Sequence, residues 1–221
     1  MTSGKRCCKT GYWGAAGATG AAAAVAYLAY LRPRHLKWGT QPGEPERLLP
    51  GDEVIAKPKQ TSTRAVDVAA ARAAVWPWLA QIGQGRGGFY SYDRLENLFG
   101  CDIHSANRVL PEHQELRPGD RIRLGPEGHP FYTVRDLEEG HWLLLEADAP
   151  EGEEPPIAET WLFHLEELSA KRTRLTVRNR RDYDWGVKNF LLWKVLTEPA
   201  HFIMERKMLL GIRRRAEQKP L

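Results

Sequence analysis

Between residues 159 and 180 the chain alternates. Trp161, Phe163 and Leu165 fall on one side of an extended segment, and Leu162, His164 and Glu166 fall on the other. After a turn at residues 169–171, Leu175 and Val177 oppose Arg172, Arg174, Arg178 and Arg180. Successive side chains of a strand point to opposite faces, so a period of two commits this segment to a strand pair with one apolar, aromatic face. A helix would scatter those residues around its circumference. The expectation is an antiparallel sheet whose aromatic face is concave and buried and whose arginine face meets solvent.

Shorter runs extend that sheet. Residues 65–68, 121–124, 131–137 and 142–147 read as strands, and Glu138-Glu-Gly-His141 reads as a hairpin turn. Two short helices are expected after the first strand. Val75, Trp78, Leu79 and Ile82 mark one, with Pro77 in its first turn or at a kink. In the other, Tyr92, Leu95, Leu98 and Phe99 recur at helical spacing as an apolar face, while Asp93, Glu96 and Asn97 share a polar one. Gly100 ends it. A long helix is expected over residues 186–217, started near Asp182 or Asp184, rich in basic residues at its end and kinked at Pro199.

Residues 76–104 gather aromatic, glycine and titratable residues more densely than any other part of the chain. Tryptophan and tyrosine offer broad apolar faces with one polar handle each, and glycine lets backbone approach a ligand closely. This stretch is the expected wall of a binding cavity. Trp76-Pro-Trp-Leu, Ile82-Gly-Gln-Gly-Arg-Gly-Gly-Phe-Tyr-Ser-Tyr-Asp, Leu95-Glu-Asn-Leu and Asp102-Ile-His-Ser-Ala resemble a bacterial branch of the START and polyketide-cyclase-like superfamily, known as SRPBCC. The run from Glu198 to Glu217 is similar to that branch too, so the resemblance spans roughly residues 61–217. Ala69-Ala-Ala-Arg departs from the proline-containing turn such proteins often have before the first helix. The resemblance implies an α+β, helix-grip fold in which an antiparallel sheet wraps around a long C-terminal helix and leaves a cavity between them. Members of that superfamily bind, transport or transform very different apolar ligands, so the resemblance by itself names no chemistry.

The N-terminal part reads differently. After a basic tail at residues 1–13, Gly14 to Leu31 is eighteen residues without a charge, followed by Arg32, Arg34 and Lys37. As a helix this run would be about 27 Å long, close to the hydrocarbon thickness of a bilayer. Tyr12, Trp13, Tyr27 and Tyr30 lie near its ends, where aromatic rings favour the membrane interface. A single transmembrane helix in a bacterial inner membrane is the expectation. A cleaved signal peptide fits less well, because the most apolar part lies at or beyond the Ala-x-Ala sites. A soluble alanine-rich helix is the other alternative. Three Lys or Arg on each side leave the orientation open. Residues 32–60 are proline-rich with little periodicity, and read as a linker or as a strap docked through Trp38 and the Leu48-Leu49 pair.

A chain of 221 residues with 42% hydrophobic content can bury one sizeable core. Its net charge of +4 and pI near 9.0 permit contact with anionic lipid without requiring it. Cys7, Cys8 and Cys101 make no paired framework, and the seven histidines lack metal-ligand spacing, so neither disulfide scaffold, metal nor cofactor is expected. Gly83-Gln-Gly-Arg-Gly-Gly88 satisfies G-x-G-x-x-G but follows a helix and sits in no βαβ unit, which argues against nucleotide binding. Residues 171–181 are basic without interleaved aromatics, so no nucleic-acid partner is expected.

Ligand-contacting positions are expected among Trp76, Trp78, Tyr90, Tyr92, Asp93, Glu96, Asp102, His104, Trp161 and Phe163. His104, Asp102 and Tyr92 are the candidates for proton transfer. For Asp93, Glu96, Asp102 and His104 the competing reading is a hydrogen-bond network that pins the glycine loop and the helix ends. The functional expectation is a membrane-anchored binding module for a small apolar ligand such as a lipid, isoprenoid or polyketide-like compound. The alternatives are a cyclase or dehydratase using the same cavity, and a structural partner of a membrane protein. Binding leads because no nucleophile and base form a legible pair.

Overall fold

Strand β1 (Gln60–Val68) opens a six-stranded antiparallel sheet and pairs with the last strand, not the next one. The others are β2 (Arg121–Arg123), β3 (Phe131–Glu138), β4 (Trp142–Asp148), β5 (Ala158–Ser169) and β6 (Arg172–Asp182). Their order across the sheet is β1-β6-β5-β4-β3-β2, so sequential strands are neighbours except where β1 closes onto β6. The computed structural model describes residues 26–98, 100–155, 157–184, 186, 194 and 196–218. The chain divides into two units, residues 1–36 and 37–221.

In the first unit, a π-helical turn at Tyr27–Leu31 runs into α1 (Arg32–Leu36), and the Tyr27 hydroxyl meets His35 Nε2 at 3.0 Å. Of the expected membrane span, residues 14–25 lie outside the described residues. Among the described residues no helix is long and apolar enough to cross a membrane.

The second unit is an α+β domain consistent with a helix-grip fold. Between β1 and β2 lie α2 (Arg72–Ala80) and α3 (Asp93–Leu98), and the domain ends in α4 (Glu198–Glu217), which packs against β1 and α2. Pro199 sits in the first turn of α4, which directly follows the π-helical residues Leu196 and Thr197, so the helical geometry changes at the position where a kink was expected. The upstream residues 187–193 lie outside the described residues.

The period of two sets the faces. Cross-strand partners Trp161 and Asn179, Phe163 and Val177, and Leu165 and Leu175 share the inner face, joined by Val66, Val68, Leu143 and Leu145. Against them α4 turns Glu205, Met208, Leu209, Ile212, Arg215 and Ala216, spaced three and four apart as one helical stripe. Gly211 belongs to this stripe, because the carbonyl of Tyr90 lies where its Cβ would be.

The outer face departs from the sequence expectation. Arg174 and Arg178 are 5% and 3% exposed, because residues 37–57 lie across that face as a strap. Arg174 clasps the Glu44 carboxylate through two nitrogens, at 2.9 and 2.6 Å, and also reaches Asp67. Arg178 donates to Asp52 at 2.6 Å and to the carbonyls of Glu44, Pro45 and Arg47, and Arg180 donates to Asp52 and the carbonyl of Ile55. Leu49 adds an apolar contact with Leu144 and Leu162, whereas Leu48 is 87% exposed. The Trp38 carbonyl accepts from the Ala65 N–H, and its ring lies 6.4 Å from that of Phe202. Only Arg172 stays largely in solvent, with its side chain 59% exposed. An arginine row normally signals water, but here each buried guanidinium finds carboxylates and strap carbonyls.

Candidate functional site

A cavity of about 310 Å³, partly open to solvent, lies between the concave face of the sheet and α4. Tyr132 from β3 and Trp161 from β5 form its sheet side, with Leu124 just past β2. The helix contributes His201, Met204, Glu205 and Met208. Phe89, Ser91, Glu96, Cys101 and Ile103 complete it. Trp161 is central to this wall: its ring lies 4.8 Å from Phe163, 5.4 Å from Tyr132, 6.3 Å from His201 and 6.4 Å from Phe89.

A charged cluster is buried at the cavity floor. Arg64 points inward from β1 and pairs with Glu205, and each side chain is 1% exposed. Glu205 Oε1 also accepts from Trp161 Nε1 at 3.0 Å and from Asn179 Nδ2 at 2.7 Å. Burial alone would push this carboxyl up, but Arg64 and the hydrogen bonds hold it below the ordinary carboxylate range. Next to it, His201 Nδ1 lies 3.4 Å from Arg64. Burial, reinforced by Arg181, drives the His201 pKa down to about 3, so the imidazole is neutral at physiological pH. A second buried pair, Arg181 with Glu159 at 2.6 Å, stands beside Tyr132, whose phenol burial pushes well upward.

Glu96 is the other acid in the lining. It is 7% exposed, and its Oε2 has no hydrogen-bond partner among the described residues. Burial and the neighbouring Asp93 carboxylate raise its pKa to about 7. Of the two faces expected for α3, the polar one turns inward; Phe99, part of the apolar one, lies outside the described residues. Tyr92, Leu95 and Leu98 are 41%, 45% and 78% exposed, and Glu96 is the helix's buried side chain. The reason lies in the flanking hydrogen bonds. Asp93 accepts from the Ser105 N–H at 2.7 Å and its hydroxyl at 2.6 Å, and Asn97 bonds both backbone groups of Ile103, which turns the polar side toward residues 103–105.

The remaining expected positions have distinct places. Phe163 is fully buried behind Trp161. Trp78 packs edge-on against Tyr90, whose hydroxyl donates to the Trp78 carbonyl at 3.0 Å. Tyr90 has φ of 56°, a left-handed conformation that is costly for a tyrosine, and it is held by its N–H to Ser105 Oγ and by the Arg215 guanidinium over its ring. Trp76 borders a separate surface groove with Pro77 and Gln114. Asp93 holds Ser105, whose hydroxyl oxygen accepts from the Tyr90 N–H, and Tyr92 lies under the Lys207 ammonium. Asp102 and His104 bond to each other at 2.8 Å, with side chains 83% and 80% exposed, and are not part of the cavity lining. Of the ten expected positions, Glu96 and Trp161 meet in the cavity.

Arg64, Tyr132, Asn179, His201 and Glu205 were not among the expected positions. A usable signal existed for two of them: Arg64 shares the inward parity of Val66 and Val68, and Glu205 lies on the apolar stripe of α4 with Met208 and Ile212. Among the described residues no group of three His, Cys, Asp or Glu side chains is placed to hold a metal ion.

No protein-family model matches this sequence, and no curated protein matches it. Solved structures resemble it loosely. Protein jhp0584 from Helicobacter pylori is 16% identical over 76% of this chain and 95% of its own, with a TM-score of 0.47. Zhui aromatase/cyclase from a Streptomyces species is 17% identical over 72% and 93%, with a TM-score of 0.42. A conserved protein from Geobacillus kaustophilus is 12% identical over 71% and 95%, with a TM-score of 0.44. Similarity of this degree says nothing of function, which has to be read from the cavity.

Proposed function

We propose that this protein is a binding module of the START and polyketide-cyclase-like kind that holds a small, largely apolar molecule between its sheet and α4. The observation that carries this reading is the cavity itself, about 310 Å³ with aromatic, methionine and aliphatic walls and a few converging polar groups. Small-molecule sites have that size and composition, whereas a purely structural core closes such space with side chains. Native mass spectrometry of the detergent-extracted full chain tests it, with a co-purifying apolar compound as the expected result. Met208→Trp, which fills the cavity, should release that compound. A folded protein that carries no compound and takes up none from a panel of apolar molecules would overturn the reading.

A second reading, catalysis in the same cavity, is favoured by Glu96. A buried carboxyl with a pKa of about 7 beside an aromatic wall can both give and take a proton near neutral pH, as a cyclisation or dehydration requires. Under this reading Glu96→Gln abolishes turnover of a bound compound and leaves its affinity within a few fold. Unchanged turnover would remove Glu96 from catalysis.

Tethering to a bacterial inner membrane through residues 14–31 is the accompanying proposal, supported by eighteen uncharged residues between basic flanks. The full chain should then stay in the membrane fraction after a carbonate wash, and its release by the wash would refute the tether.

A further inference from the structure

The charges around the cavity do not balance. Glu205 is matched by Arg64, and Glu159 by Arg181, while His201 is neutral. Among the described residues no lysine or arginine lines the cavity. That leaves Glu96, only 7% exposed, with Oε2 unpartnered among the described residues. The titratable groups around it are Asp93 on its own helix, Cys101 in the following loop, His201 and Glu205 on α4, and Tyr132 on the sheet. Glu96 feels Asp93 as a like charge, Cys101 feels Glu96 as one, and none of the five supplies a cation.

We propose that the cavity selects apolar molecules whose polar end is a basic nitrogen, and disfavours apolar carboxylates of the same size. This rests on the preceding reading that the cavity holds an apolar molecule. A protonated amine beside Glu96 Oε2 fills the missing hydrogen bond and neutralises a carboxylate that has no cationic partner among the described residues of the lining, both in a low-dielectric setting where such a bond is strong. The cavity is also bordered by Trp161, Tyr132 and Phe89, rings of the type that favour a cation. A carboxylate would face Glu96 and Asp93 with no positive partner within the lining, and would bind only with a proton taken up. An alcohol carries no such penalty; its O–H can fill the hydrogen bond to Oε2 but leaves the charge without a counter-ion.

Isothermal titration calorimetry of the full chain with octylamine, 1-octanol and octanoate tests the selectivity. At about pH 8 octylamine should bind about tenfold or more tighter than octanoate, with octanol between them. Lowering the pH to about 5.5 protonates Glu96 while the amine stays charged, so the lead of amine over octanol should shrink to within about threefold. Glu96→Gln should remove the same lead at every pH, bringing amine and octanol affinities to within about threefold of each other. Should that variant lose its cooperative unfolding transition, the pH series on the native chain decides the matter by itself. Octanoate binding as tightly as octylamine, or an amine lead that survives both low pH and Glu96→Gln, overturns the selectivity and leaves apolar binding intact. Failure of all three probes to bind the folded chain overturns the selectivity together with the reading beneath it.

Discussion

Arg64 and Glu205 stand 141 residues apart in the chain and meet as an ion pair whose side chains are each 1% exposed. The pair joins the first strand to the last helix, across the cavity floor. Removing one member leaves a buried charge without its partner, a defect that typically costs about 3 to 5 kcal/mol. Arg64→Met should therefore lower the unfolding free energy in urea by about that amount. Arg64→Met combined with Glu205→Gln should recover most of the loss, because the uncompensated charge is gone. A double variant no more stable than the single one would show that Glu205 is held by Trp161 and Asn179 and owes little to Arg64.

Two cavity groups should tilt the pH dependence of stability in opposite directions. Glu96 titrates at about 7 when folded against the usual 4.5, so between those values the folded chain binds a proton that the unfolded chain releases. Its contribution is present below pH 4.5 and is lost as pH rises through 7, on the order of 3 kcal/mol in all. His201 titrates at about 3 against the usual 6.5, so below 6.5 the unfolded chain takes up a proton that the folded chain refuses, and stability falls toward acid. In a urea series across pH, Glu96→Gln should abolish the alkaline loss and His201→Gln should soften the acid one. Parallel curves for wild type and both variants would contradict the desolvation of these two groups.

The strap should depend on Asp52. This side chain serves Arg178 and Arg180 and also accepts from the Leu49 N–H at 3.0 Å. Asp52→Asn leaves Arg178 buried with carbonyls but without a carboxylate, and should cost about 3 kcal/mol, the lower end of the range for a broken buried pair. Limited proteolysis should then cut within residues 44–57 faster than in the native chain. Unchanged cleavage and stability would mean that backbone carbonyls alone hold the strap.

Gly211 offers a test in which two effects compete. Replacing a glycine in the interior of a helix by alanine ordinarily stabilises by about 1 kcal/mol. Here the new Cβ would overlap the Tyr90 carbonyl oxygen, and Tyr90 is already in a left-handed conformation. The contact should win, so Gly211→Ala is expected to lower the melting temperature. A rise would show that the loop carrying Tyr90 can retreat from α4.

Much of this architecture was legible in the linear chain because it is written in local rules. The alternation of Trp161, Phe163 and Leu165 with Leu162, His164 and Glu166 identifies strand and inner face together, since pleating admits one assignment. Gly140 marks the β3–β4 turn with φ of 76°, and the loop at residues 83–88 follows from its glycines. What a row of charges or a short amphipathic helix faces is a different kind of fact. Arg174 and Arg178 became buried because Glu44 and Asp52, 130 and 126 residues earlier, cross over them. The apolar side of α3 turned outward because Asp93 and Asn97 found backbone partners at residues 103–105, and a six-residue helix has too little apolar area to outweigh them. Glu96, His201 and Glu205 share one cavity, with a raised acid, a neutral imidazole and a paired carboxylate, only because α3 and α4 approach the same end of the sheet. Propensity and periodicity settle which atoms belong to a strand or a helix. Desolvation and pairing, which set the charge state of each cavity group, depend on neighbours that the chain brings together only on folding.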